Sequence, residues 1–140
     1  MSQRIPASFR YLPHVGELGL RLRGASIAEV FRQAALALSD VLAPGRPPPG
    51  PEQSREIRLD APDRAALLID WLNELIYLAE RDRWIPTRID LHEATETRLR
   101  ATAWGPELDS APSLVKAATW HGLRFDARDG GFEADVLLDI

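Results

Sequence analysis

The 140-residue sequence contains no cysteine, and that absence removes several chemistries at once. No disulfide can staple the fold, no thiolate can hold zinc, and no cysteine nucleophile is available. Any metal must therefore be held by oxygen or imidazole. The lack of cysteine does not by itself define a redox compartment. Long apolar runs are also missing: none approaches the ~18 residues that a membrane-spanning helix needs. The N-terminus has no signal-peptide core, so a cytoplasmic protein without membrane contact is expected. There is no GxxxxGK[ST] phosphate loop, no GxSxG elbow and no HExxH pair. The three histidines lack the neighbours that a catalytic dyad would supply. An enzyme with an obvious motif is not present.

What is there is ordinary for a globular chain: 45% hydrophobic residues, 27% charged residues and enough length for one domain, residues 1–140. The formal net charge of −4 argues against a dedicated nucleic-acid binder, which normally carries a basic stripe. Arginines are spread along the chain in pairs such as Arg21 and Arg23, Arg81 and Arg83, and Arg98 and Arg100. Solvated faces are the ordinary reading of each pair. A fold that brings pairs together would make a small basic patch.

Periodicity separates the elements. Phe9–Leu12 and Glu17–Arg23 read as strands around a Pro13–Gly16 connection, with Leu18, Leu20 and Leu22 alternating with Gly19, Arg21 and Arg23. Ser26 and Glu29 form a capping box that opens a helix. Ile27, Val30, Phe31, Ala34, Leu38, Val41 and Leu42 make a single stripe on it. Pro44–Gln53 is too proline-rich for helix or ladder and reads as a stiff surface loop. Its proline run is also of a kind that docks in aromatic grooves. Ser54–Leu59 is a further strand. Asp60 is expected to cap a second helix, with Pro62 in its first turn and a broad apolar face from Leu67 to Leu78. Ile89–Glu93 and Arg98–Trp104 form a hairpin, followed by strands Val115–His121, Leu123–Ala127 and Phe132–Leu138, the last two joined by a tight Asp129-Gly-Gly turn. The class is α+β: two amphipathic helices packed on one face of a largely antiparallel sheet, in two layers.

Three places carry candidate chemistry. His14 and Glu17, in the turn before the second strand, can converge on a cation or on one another; a backbone-bonded turn histidine is the plainer reading. In the run Lys116–His121, small residues leave room around the Lys116 ammonium for a phosphate or carboxylate. An edge lysine that discourages strand addition explains it equally. On a regular strand Lys116, Ala118 and Trp120 share one face, and Ala117, Thr119 and His121 the other. At the end of the chain, Phe132, Ala134, Val136 and Leu138 face the core while Glu133, Asp135, Leu137 and Asp139 face away. Asp139 and the terminal carboxylate of Ile140 are adjacent oxygen donors that repel unless a cation or hydrogen-bond donors compensate. Ca²⁺, Mg²⁺ and Mn²⁺ accept such ligands; a frayed acidic end is the alternative.

The segments HVGELG (His14–Gly19), DWLNELIYL (Asp70–Leu78), KAATWHGL (Lys116–Leu123) and LLDI (Leu137–Ile140) occur in the order seen in the archease family, which the chain resembles over nearly its whole length. The resemblance implies a strand–helix–strand–strand module with elaboration. It also implies an accessory protein, not an enzyme, that promotes guanylylation of an RtcB-type RNA ligase by GTP and metal and sustains its turnover in tRNA splicing and RNA repair. RNA is then met only through the ligase. It further implies a divalent metal site (Ca, Mg or Mn) built by Glu17, Asp139 and Ile140, with Lys116, His14 and His121 linked to activity. Glu17 stands where the family has aspartate, and Val15-Gly16 where it has Thr-Ala. Two other readings of the same residues are a metal-dependent phosphoester hydrolase and a general protein-binding or chaperone-like module.

Overall fold

A computed structural model of the chain describes residues 3–45 and 50–140, without the side chain of His14. Most of the proline run in the Pro44–Gln53 loop lies outside the described residues. The elements run β1 (Ser8–His14), β2 (Glu17–Gly24), α1 (Ile27–Leu42), β3 (Gln53–Asp60), α2 (Arg64–Asp82), β4 (Arg88–Ala94), β5 (Arg98–Gly105), β6 (Ala117–Arg128) and β7 (Gly131–Asp139). The α+β class, the two amphipathic helices and the antiparallel pairing are as the sequence indicates. The strands are shared between two sheets, ordered β1-β2-β7-β6 and β3-β5-β4.

Alternation along β2 and β7 explains how the larger sheet acquires its two faces. Leu20, Leu22, Ala134, Val136 and Leu138 are fully buried, and the charged residues between them point away from the core. The stripe on α1 buries Val30, Phe31, Ala34, Leu38 and Leu42. This helix packs chiefly on β2 and also meets β4, while α2 packs on β6 and β3, so the helix pair serves both sheets. Trp71 of α2 lies edge-on to Phe31, its ring centroid 6.4 Å away, and its indole N–H donates to the Phe31 carbonyl at 2.9 Å. That bond satisfies the one polar atom of a fully buried tryptophan and fixes the two helices against each other.

Ser26 caps α1 by accepting from the Glu29 amide at 3.2 Å. The Glu29 carboxylate accepts from Arg32. The second helix starts later than the sequence suggests. Asp63 is its cap, accepting from the Ala66 amide at 2.8 Å, and Asp60 ends β3 instead. Asp60 is paired with Arg98 in the β3–β5 ladder, and Arg98 and Arg100 bind its exposed carboxylate at 3.1 and 3.4 Å.

Candidate functional site

The β1–β2 hairpin closes over Val15 and Gly16, with His14 and Glu17 in register on either side. Gly16 has φ +74, a conformation that glycine adopts without strain. The tight turn sets Glu17 at the very start of β2. Across the next ladder Glu17 is paired with Asp139, and Asp139 is paired in turn with Ala117 of β6. One row therefore crosses all four strands: His14, Glu17, Asp139, Ala117. Directly opposed residues lie on the same face of a sheet. Leu138 is buried on the core side, so Glu17 and Asp139 lie on the outer side.

The start of β6 is tied to this row from two directions. The Lys116 amide donates to the Asp139 carbonyl at 2.8 Å, and the Ala118 amide donates to the Asn73 side-chain oxygen on α2 at 2.8 Å. Asn73 thus joins the DWLNELIYL helix to the KAATWHGL strand, a role that sequence reading missed. Its only signal was a polar side chain beside an apolar helical face. Lys116 itself is exposed, and its ammonium forms no ion pair among the described residues.

Beyond Thr119 the pairing of β6 with β7 breaks: Thr119 opposes Leu137 and Arg124 opposes Asp135. The residues from Trp120 to Leu123 thus stand against Val136 alone, and Gly122, with φ +67, lets the backbone turn there. The two strands expected at Val115–His121 and Leu123–Ala127 are consequently one irregular strand. Alternation also fails at this point. Ala118 is buried while Trp120 is 61% exposed, so the two do not share a face. The bulge carries His121 towards the row, with Nδ1 3.7 Å from the Glu17 carboxylate. Thr119, at the edge of the bulge, has a buried hydroxyl with no hydrogen-bond partner among the described residues.

The residues singled out from three distant stretches of sequence are therefore neighbours. Glu17, Asp139 and His121 converge at one end of the larger sheet, Lys116 adjoins them through its backbone, His14 joins by register, and exposed Ile140 directly follows Asp139. Among the described residues no group of three or more histidine, aspartate or glutamate side chains is assembled to hold a metal ion. The two residues opposed in the ladder, Glu17 and Asp139, carry carboxylates, which suit a hard divalent cation and not a soft one. Opposed carboxylates repel, and the nearby imidazole relieves this when it is protonated.

Residues 9–140 match the family described as Archease protein family (MTH1598/TM1083). The chain is 34% identical to Protein archease of Methanosarcina mazei, over 94% of this chain and 95% of that one. It is 35% identical to Protein archease of Methanosarcina barkeri over the same shares. Among solved structures it is similar to protein 1598 of Methanobacterium thermoautotrophicum, with TM-score 0.71 and 28% identity over 94% of this chain and 98% of that one. A crystal structure from Thermotoga maritima, titled an archease and possible chaperone, shares the fold with TM-score 0.62 at 18% identity, over 94% of this chain and 96% of that one.

Proposed function

The chain belongs to the archease family, and from that premise we propose that it is an accessory protein which activates an RtcB-type RNA ligase in the cytoplasm, acting as one domain over residues 1–140. The ligase, not this chain, carries out the chemistry, and this reading requires RNA to be met only through the ligase. The observation that carries the reading is the pairing of Glu17 with Asp139 beside His121 and Lys116, at an exposed end of the sheet.

Glu17, Asp139 and the main-chain carboxylate of Ile140 would hold a divalent cation, Ca²⁺, Mg²⁺ or Mn²⁺. The glutamate reaches one methylene further than the family aspartate, from a strand start set by the Val15-Gly16 turn. A bound cation neutralises the carboxylate row and offers a positive centre to a triphosphate. The chain's own groups do the rest. The Lys116 ammonium is free to meet a phosphate oxygen at the ligase site as a point charge. His121 is placed to share the Glu17 carboxylate. Trp120, carried outward on the same bulge, supplies a large apolar anchor of the kind that dominates protein interfaces. Docking of this end favours the guanylylation-competent state of the ligase.

The test is auto-guanylylation of the reconstituted ligase with GTP and Mn²⁺, with and without this protein. Stimulation by the wild-type chain, and its loss with Asp139→Ala and with Lys116→Ala, are expected. Equal stimulation by those two variants would sink the proposal. A chain extended past Ile140 moves the terminal carboxylate while leaving Asp139, and calorimetric cation binding by that version separates a lost ligand from a blocked interface.

A further inference from the structure

Beyond the Glu17–Asp139 row, the outer face of the larger sheet is lined by arginine. Arg10 of β1 is in register with Arg21 of β2, and Arg21 with Asp135 of β7, which in turn opposes Arg124 of β6. Arg21 and Arg124 hold the Asp135 carboxylate from both sides at 2.8 and 2.9 Å. One row further, Arg23 and Arg124 both reach Glu133 at 2.6 Å, and Arg128 approaches it at 3.6 Å. Arg4, ahead of β1, lines a recess of about 410 Å³ with Arg23, Arg128 and Glu133. Of the arginine pairs that sequence alone reads as separate solvated faces, Arg21 and Arg23 are thereby gathered with Arg4, Arg10, Arg124 and Arg128 into one patch, while Arg98 and Arg100 lie on the other sheet.

Six guanidiniums share this face with the carboxylates of Asp126, Glu133 and Asp135, a positive excess on a chain whose formal net charge is −4. The layering sharpens that excess. The Glu133 and Asp135 side chains are 13% and 20% exposed, whereas those of Arg23 and Arg128 are 42% and 50% exposed. Glu133 and Asp135 lie beneath and hold Arg21, Arg23 and Arg124 in place, while Arg23, Arg128 and the Asp126 carboxylate reach solvent more fully. Fixed, planar guanidiniums are suited to bidentate contact with phosphate.

We propose that this arginine face binds single-stranded nucleic acid through its phosphodiester backbone, independently of sequence. The inference goes beyond the ligase reading, which requires no contact between this chain and RNA. Successive outward rows of a strand lie about 6.7 Å apart, so the guanidiniums extend over several rows, more than one isolated phosphate can engage. A strand of phosphates can follow them. No aromatic side chain stands at the outward positions of the arginine rows, which removes base stacking and with it base preference. The rows likewise lack the apolar centre that a protein partner's interface would bring.

The measurement is fluorescence anisotropy of the isolated protein with labelled oligouridine and oligothymidine of about 20 nucleotides. Both oligomers should bind at low salt within tenfold of each other, and affinity should fall steeply with added KCl. Four phosphate contacts correspond to a log–log slope of about −3. Arg4→Glu with Arg10→Glu removes two side chains that form no ion pair among the described residues, so the fold is preserved. This double variant should bind at least tenfold more weakly, with a slope shallower by about 1.4. It should still stimulate guanylylation of the ligase, so the two readings fail separately. Undiminished binding by the double variant, a flat salt response, or polyglutamate competing as well as oligouridine overturns the proposal.

Discussion

Glu17 on β2 and Asp139 on β7 stand opposite each other in the ladder, two carboxylates of the same sign brought together from far-apart stretches of the chain. Like charges directly opposed across a sheet destabilise it by a few tenths to about 1 kcal/mol. Asp139→Asn should therefore raise the midpoint of unfolding slightly in chelator. The same variant should lose the gain that divalent cation gives the wild-type chain. A ligand at ~100 times its Kd adds about 2.7 kcal/mol, several degrees in Tm. Thermal melts of both proteins with EDTA, Ca²⁺ and Mn²⁺ check this; equal cation gains in the two would remove Asp139 from the ligand set.

Asn73 should matter to both stability and function, because its side-chain oxygen holds the Ala118 amide beside the site. Asn73→Ala leaves that donor without its partner and should cost about 1–3 kcal/mol. Asn73→Asp retains an acceptor at the same place and should recover most of the loss. Urea midpoints together with hydrogen exchange at the Ala118 amide separate the two substitutions.

Thr119→Val exchanges a buried hydroxyl without a partner for a methyl of similar shape. Removing such a group relieves its desolvation, so the variant should be about 1 kcal/mol more stable than the parent. A lower urea midpoint instead would mean that the hydroxyl is satisfied in solution. Guanylylation assays on the same variant report whether that hydroxyl serves the ligase.

Acid should loosen the arginine face. Hydrogen bonds from Arg124, and then from Arg23, hold the Glu133 carboxyl down at about 2, against an ordinary value of 4.5. Asp135 is lowered by Arg21 and Arg124. Because the folded values lie below the unfolded ones, this contribution is complete above pH 4.5 and fades as pH falls towards 2. Stability of Glu133→Gln should therefore change less than that of the wild type over this interval, measured by urea unfolding at a series of pH values.

Trp120 is exposed and supported by little packing, so Trp120→Ala should alter stability by no more than about 0.5 kcal/mol. Its affinity for the ligase should fall at least about fivefold, the loss of more than 1 kcal/mol that marks an anchor residue. Titration calorimetry against the ligase distinguishes an interface anchor from an incidental surface aromatic.

Local patterns carried much of this architecture. The alternation of Leu18, Leu20 and Leu22 and the stripe from Ile27 to Leu42 are properties of neighbouring residues, and burial follows them closely. What sequence left open depends on distant partners. Asp60 stays on β3, where it pairs with Arg98 of β5, a partner far away in sequence. The division of strands between two sheets is likewise a choice among non-local pairings. At the site, the motifs indicated that Glu17, Lys116, His121 and Asp139 belong together. The bulge that turns Trp120 outward was not legible, since Trp120–Leu123 gives no local sign of having only Val136 to oppose it. Asn73 was hidden for a related reason: its partner is a backbone amide, and a backbone amide has no signature in sequence.

The strand order β1-β2-β7-β6 also has a kinetic meaning. The hairpins β1–β2 and β6–β7 each close over a short turn, and β4–β5 does the same in the smaller sheet. Joining β2 to β7 is different, since the segments that meet are separated by most of the chain. Loop closure over such a span delays that pairing. The meeting of Glu17 with Asp139 therefore carries a larger loop-closure cost than either hairpin of its sheet, and a chain that has not closed it would present the hairpins without the assembled row.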